Sequence, residues 1–370
     1  MQENEPQGRV RRGPGERRVR LTAAVLCLLW LPLALSATRR ESLAELGAGS
    51  PAETTATLSA ADVGVVVNER DPLSEAVGRY YQRQRGIPDA NLLRIRFAPA
   101  KAELEPARFR EIREELLEKT PARVQVYALA WAAPYRVGCQ SITSAFSFGL
   151  HPGWCAQGCA VTRMSSYFAR GDVKRPWDEL RIRPSMLLAS RSLQQGEALV
   201  QRGMAADGTA PSGTIYFLDT SDYKRNVRVE SYRRAIAVLG RRLQMQLLRQ
   251  NSLVDRHDVL GYFTGLASVA GIDSNTYRPG AIADHLTSFG GQLTDSSQMS
   301  ALRWLEAGAT ASYGTVVEPC AFPAKFPDPG LLLTYYRRGD TLIESYWRSV
   351  AMPGQGVFLG EPLARPWPER

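Results

Sequence analysis

The sequence is poor in histidine and cysteine, with three and five respectively in 370 residues. Three histidines leave little material for a multi-histidine metal centre. Five cysteines are too few to hold a miniprotein together by disulfides alone. Several catalytic signatures are also missing. There is no Gly-x-Ser-x-Gly elbow, Gly-x4-Gly-Lys-Ser/Thr loop, Gly-x-Gly-x-x-Gly fingerprint or His-Glu-x-x-His pair. Their absence excludes the common serine hydrolases, P-loop nucleotidases, dinucleotide enzymes and zincins, and no cofactor is expected. Beyond residue 40 no run of five like charges occurs, and the longest apolar run, Leu21–Leu35, has only 15 residues.

What is present is ordinary globular material, 44% apolar and 22% charged, which excludes disorder for most of the chain. The net charge of +9 belongs partly to the first residues: positions 1–37 hold six arginines and three glutamates, so +6 is spread over the other 333. Charge this diffuse reads as a solvated surface, and no nucleic-acid partner is expected.

Residues 9–20 read RVRRGPGERRVR, and the apolar run that follows ends in Ala34, Ser36 and Ala37. A basic segment, a short apolar core and small residues make the plan of a secretory signal peptide over 1–37. As a helix the run spans roughly 22 Å, short of the roughly 30 Å hydrocarbon core, and Pro32 interrupts it. The alternative is an uncleaved segment acting as an anchor; membrane contact is expected through this segment alone. Arg17-Arg18 lacks the continuation of a twin-arginine signal. Export to the periplasm or exterior leaves Cys139, Cys155, Cys159 and Cys320, an even set suited to disulfides with three possible pairings. His151 and the three cysteines nearest it have a spacing that also permits a metal site, the weaker reading.

Residues 38–61 read as a flexible lead, and 62–365 as one α/β domain with a mostly parallel sheet flanked by helices. Val63–Val67 is β-branched and continuous, as in a strand buried on both faces. Pro72 opens a helix that Gly86 closes. Strands are expected at 92–97, 124–131, 186–189, 213–218, 259–263, 309–317 and 357–359. Helices are expected at 106–119, 192–204, 229–249 and 297–306, with two more over 330–350. Residues 132–184 form a long Cys-containing insertion.

Ligands of open parallel sheets gather at the carboxyl ends of strands. This selects Asn68 and Asp71 after the first strand, Trp131 and Arg136 after the third, and Asp219, Thr264 and Glu318 further on. The densest segment is Asp284-His285-Leu-Thr-Ser288-Phe-Gly290-Gly291. It combines an acid, a base, a hydroxyl and two glycines whose N–H groups could stabilise an oxyanion. A strand would put His285 and Ser288 on opposite faces and a helix on one. The plainer reading is a polar strand end tying down a glycine turn. His257 reads as a surface residue. The proline-rich stretch after Tyr313 is a stiff loop carrying Glu318 and Lys325, able to line a cleft or to act as a lid pinned by Cys320.

Val65-Val-Val-Asn68-Glu-Arg-Asp-Pro-Leu-Ser74, Tyr80-Tyr81, Arg85-Gly-Ile-Pro88-Asp-Ala-Asn91, Arg183-Pro-Ser-Met-Leu-Leu188, Ala281–Gly291, Gly314-Thr-Val-Val-Glu-Pro319 and Phe326-Pro-Asp-Pro329 resemble segments of a family of exported bacterial proteins of unassigned activity. The last third is distantly similar to gingipain-type, caspase-like cysteine peptidases. There Tyr262-Phe-Thr264-Gly265 takes the His-Gly place and Thr287-Ser288-Phe-Gly-Gly291 the Cys place, while Gly308–Gly314 and Gly360-Glu-Pro-Leu363 match later segments. The resemblance implies a caspase/gingipain-like sheet in which Thr264 replaces the base and Ser288 the nucleophile. Threonine is no general base near neutral pH, and serine without a base is a weak nucleophile. The expectation is therefore a non-proteolytic or binding relative. The alternative is an envelope hydrolase using Ser288 with His285 or a carboxylate such as Asp219 or Glu318.

Overall fold

The computed structural model describes residues 58–156 and 158–368. The proposed signal peptide, Cys27 and most of the lead lie outside the described residues. From Leu58 onward the chain is packed: Leu58 is buried, and Ser59 and Asp62 cap a short 3-10 turn in front of the first strand.

β1 (Val63–Asn68) is buried along its whole length, which explains its unbroken β-branched sequence. In α1 (Pro72–Arg85) the Asp71 carboxylate accepts from the Leu73 N–H at the amino end, and Gly86, at φ 64°, ends the helix in the left-handed conformation. β2 (Leu92–Ile95), α2 (Pro106–Lys119) and β3 (Val126–Leu129) follow. The insertion is not irregular throughout. It holds a hairpin of β4 (Arg136–Val137) and β5 (Gln140–Ser141), then α3 (Ile142–Phe148) and α4 (Pro176–Leu180). The elements then run β6 (Ser185–Leu187), α5 (Leu193–Ala206), β7 (Thr214–Leu218), α6 (Val229–Leu239), β8 (Gln244–Leu248) and β9 (Val259–Thr264). Last come β10 (Tyr277–His285), α7 (Leu302–Ala307), β11 (Ala311–Thr315), α8 (Pro329–Arg338), α9 (Leu342–Ser349) and β12 (Gly356–Gly360).

Ten strands form one sheet in the order β2-β1-β3-β6-β12-β11-β10-β9-β7-β8. The ladders within β2-β1-β3-β6 and within β11-β10-β9-β7-β8 are parallel, and β12 joins the two groups, antiparallel to β11. The fold is thus a mostly parallel sheet flanked by helices, with a disulfide-containing insertion. β12 also bridges β6 through Leu359 and Leu187. Loops that follow strands of the two groups meet: the Tyr135 hydroxyl, beyond β3, donates to Asp295 beyond β10, and Arg191, beyond β6, donates to the Leu293 carbonyl. Arg85, at the end of α1, meets Asp207 and Glu361.

Two expected helices are corrected. The helix read over 229–249 ends at Leu239; Gly240 closes it, and 244–248 form β8, paired to β7 at the rim of the sheet. An edge strand that exposes Gln244 and Gln246 offers only half the usual alternation, so it merged with the helical stripe before it. The helix read over 297–306 shrinks to α7, because residues 296–300 spend their polar groups on local turns: Ser296 on the Phe289 carbonyl and Ser300 on the Leu293 carbonyl.

Candidate functional site

Beyond β10 the chain passes from core to surface within a few residues. Asp284 and His285 are buried, whereas Ser288 is partly exposed. The Asp284 carboxylate faces buried Arg228 through two contacts, 2.5 Å from Nη2 and 3.2 Å from Nη1. Burial disfavours the guanidinium charge, but Asp284 more than offsets this and holds Arg228 above its ordinary value. Arg228 also donates to the Thr264 carbonyl, 2.9 Å away, so the pair ties β9 to β10. Asp284 is the buried counter-ion of Arg228.

His285 is fully engaged. Trp304 Nε1, which can only donate, gives its hydrogen to Nδ1 at 2.9 Å. The proton therefore resides on Nε2, which donates to the Met299 carbonyl at 2.9 Å. Burial pushes the imidazole down to about 4. A neutral ring with both nitrogens engaged is not a base for Ser288; the expected His285–Ser288 pairing is not formed.

Ser288 instead opens onto a cavity of about 540 Å³, shared with Lys224, Arg225, Thr287, Glu318 and the Cys159–Cys320 disulfide. Arg225 donates through Nε to Thr287 Oγ1 at 3.1 Å and through Nη1 to Asp222 at 2.8 Å. Glu318 Oε1 accepts from the Cys320 N–H at 2.7 Å, leaving its second oxygen without a hydrogen bond. The glycine pair serves packing. The Gly291 N–H donates to the Thr315 carbonyl, and a Cβ on Gly291 would lie 2.5 Å from the Gly314 carbonyl oxygen. Gly290 gives its carbonyl to the Ala301 N–H. The Gly291 N–H is thus not free to act as an oxyanion donor.

The remaining candidates separate. Thr264 is buried, its Oγ1 has no hydrogen-bond partner, and it does not line the cavity. Asp219 accepts from Asn226 Nδ2 at 2.6 Å and braces the loop after β7. Asn68 clamps Phe97: Nδ2 donates to its carbonyl and Oδ1 accepts from its N–H, both at 3.1 Å. Asp71 caps α1. Buried Trp131 donates to the Pro134 carbonyl and meets Phe97 edge-on. Arg136 pairs with Glu103 at 3.0 Å. These four hold loops in place rather than forming one site.

The cysteines pair as Cys139–Cys155 and Cys159–Cys320. Disulfide sulfurs are not thiolate ligands, so the metal reading at His151 is overturned; His151 Nδ1 accepts from the Gly153 N–H instead. His257 is exposed, with Nδ1 3.3 Å from the Thr276 hydroxyl. Lys224, Arg225 and Arg228 were not among the residues selected at strand ends; their signal in the sequence is a cluster of positive charge a few residues past Asp219. Lys325 is buried with no hydrogen bond to Nζ; burial pushes its amine down, against the pull of Glu318.

No family model and no curated protein matches the chain. Two solved structures are similar in fold. One is described as the complex of the pro- and mature domains of RgpB from Porphyromonas gingivalis, with TM-score 0.43 and 9% identity, covering 82% of this chain and 79% of that one. The other is described as the structure of a protease, with TM-score 0.43 and 8% identity, covering 84% and 80%. This is a distant likeness in chain course and carries no inference about activity.

Proposed function

We propose that this chain is an exported, non-proteolytic binding protein with a caspase-like sheet, and that the cavity at Ser288 and Glu318 is its ligand site. One observation carries the reading. None of the three histidines lines the cavity, and His285, the nearest in sequence, is neutral and engaged on both nitrogens. Ser288 therefore has no imidazole to take its proton, and a serine hydroxyl without a base is a weak nucleophile. Export is supported by the plan of residues 1–37 and by the pairing of all four remaining cysteines, since disulfides persist in oxidising compartments.

A second reading, a hydrolase using Ser288 with a carboxylate, is favoured by one fact: Glu318 lines the same cavity with one oxygen free. A single experiment separates the two. The mature protein is treated with a fluorophosphonate probe beside the Ser288→Ala and Glu318→Gln variants. Binding without catalysis predicts equal, background labelling of all three. Labelling that disappears in Ser288→Ala and falls in Glu318→Gln overturns the binding reading in favour of the hydrolase.

A further inference from the structure

A second, smaller cavity lies away from the Ser288 site, between α5 and α7. It has a volume of about 210 Å³, room for a ligand of a few heavy atoms. Leu199, Leu302 and Leu305 supply apolar wall, and two polar side chains there, Ser190 and Arg202, have hydrogen-bonding capacity left over. Ser190 is the first. It stands just past β6, is only 6% exposed, and lines the cavity with a hydroxyl that makes no hydrogen bond to the described residues. Arg202 is the second. Its Nη2 donates to the Leu305 and Ala309 carbonyls, at 2.9 and 3.1 Å, while Nε is buried without a partner.

Among the described residues no carboxylate pairs with Arg202. Glu306 also lines the cavity, but one oxygen is held by Arg191 at 3.1 Å and the other by Arg303 at 2.7 Å. Half-buried Arg85 and buried Arg228 and Arg348, by contrast, each face a carboxylate. Loss of water with no opposing charge pushes Arg202 down to about 10. A partly buried cation of this kind is stabilised by an anion that accepts its hydrogen bonds. The leucine wall selects among anions. A phosphate would lose water against hydrocarbon on most of its surface, whereas a monocarboxylate with a short alkyl tail presents charge at one end and apolar surface at the other.

We propose that this cavity binds a short-chain monocarboxylate, its carboxylate accepting from Arg202 and Ser190 and its alkyl tail lying against Leu199, Leu302 and Leu305. The site is independent of the Ser288 reading. The test is calorimetric titration of the mature protein with sodium butyrate, 1-butanol and sodium phosphate at constant ionic strength. Butyrate is expected to bind saturably in the millimolar range, near −4 kcal/mol, and the other two not to saturate. Ser190→Ala, which leaves the Arg202 contacts to α7 intact, should weaken butyrate about fivefold, the effect of one lost hydrogen bond. Ala198→Leu, which fills the cavity, should abolish binding while near-ultraviolet circular dichroism stays native. Absence of saturable butyrate binding to the parent protein overturns the proposal. So does binding unchanged by Ala198→Leu, or phosphate binding as tightly as butyrate.

Discussion

His285 is where residue type and residue role part company. In the sequence it stands beside an acid, a hydroxyl and two glycines; in the fold it is a core histidine between Trp304 and the Met299 carbonyl. That environment has a measurable consequence. The folded imidazole titrates near 4, below its unfolded value near 6.5. The unfolded state therefore binds the proton first on acidification. The stabilisation from a neutral His285 is present in full above pH 6.5 and is lost as pH falls from 6.5 toward 4. The difference amounts to about 3 kcal/mol. Urea midpoints measured between pH 7 and 4 should fall steeply in the parent protein and less steeply in His285→Gln. Equal slopes would contradict the buried neutral ring. Asp284 and Thr264 carry the same lesson. Each stands at a strand end, where ligand-binding groups gather, yet the structure uses the Asp284 carboxylate and the Thr264 carbonyl to hold Arg228.

At the scale of elements, the insertion and the proline-rich loop after β11 act as one unit because Cys159 and Cys320 join them. That bond closes a separation of 161 residues, against 16 for Cys139–Cys155. The chain-entropy treatment assigns about 5 kcal/mol to the longer closure and about 3 to the shorter. Replacing Cys159 and Cys320 together by serine should therefore lower the guanidinium midpoint more than replacing Cys139 and Cys155. It should also disturb the Ser288 cavity, one wall of which is that disulfide. The reverse order of stability would place the main constraint in native packing rather than in the unfolded chain. β8 teaches a different point about elements. Its five residues carry no strong strand pattern, and pairing to β7 alone makes them a strand.

For the molecule as a whole, core packing extends close to both limits of the described residues. Leu58 is buried ahead of β1, and Trp367 is buried close to the other end, its ring edge-on to Tyr336 with centroids 5.4 Å apart. Trp367→Ala should cost about 3–5 kcal/mol, the usual loss for a large buried aromatic, read as a shift in urea midpoint. A change under about 1 kcal/mol, typical of a surface substitution, would place Trp367 outside the core. Charge is distributed less simply than the sequence suggests: most arginine ion pairs lie at the surface, but a few arginines are buried on carboxylates, as in the Arg348–Asp340–Glu344 cluster.

Much of the fold was legible in the sequence because its causes are local. A β-branched run fits a strand buried on both faces, a proline after an aspartate starts a helix, and a glycine ends one; β1 and α1 follow from nearest-neighbour chemistry. The sequence by itself also determined the set of four cysteines available beyond residue 37 and the lack of any histidine at Thr264. Only the tertiary structure decided which cysteines pair, that Trp304 and Met299 engage His285, and that Ser288 shares a cavity with Glu318 and Arg225. The physical reason is distance along the chain. Those contacts join residues between 14 and 161 positions apart, and their partners are chosen by sheet order and burial, which no local pattern encodes.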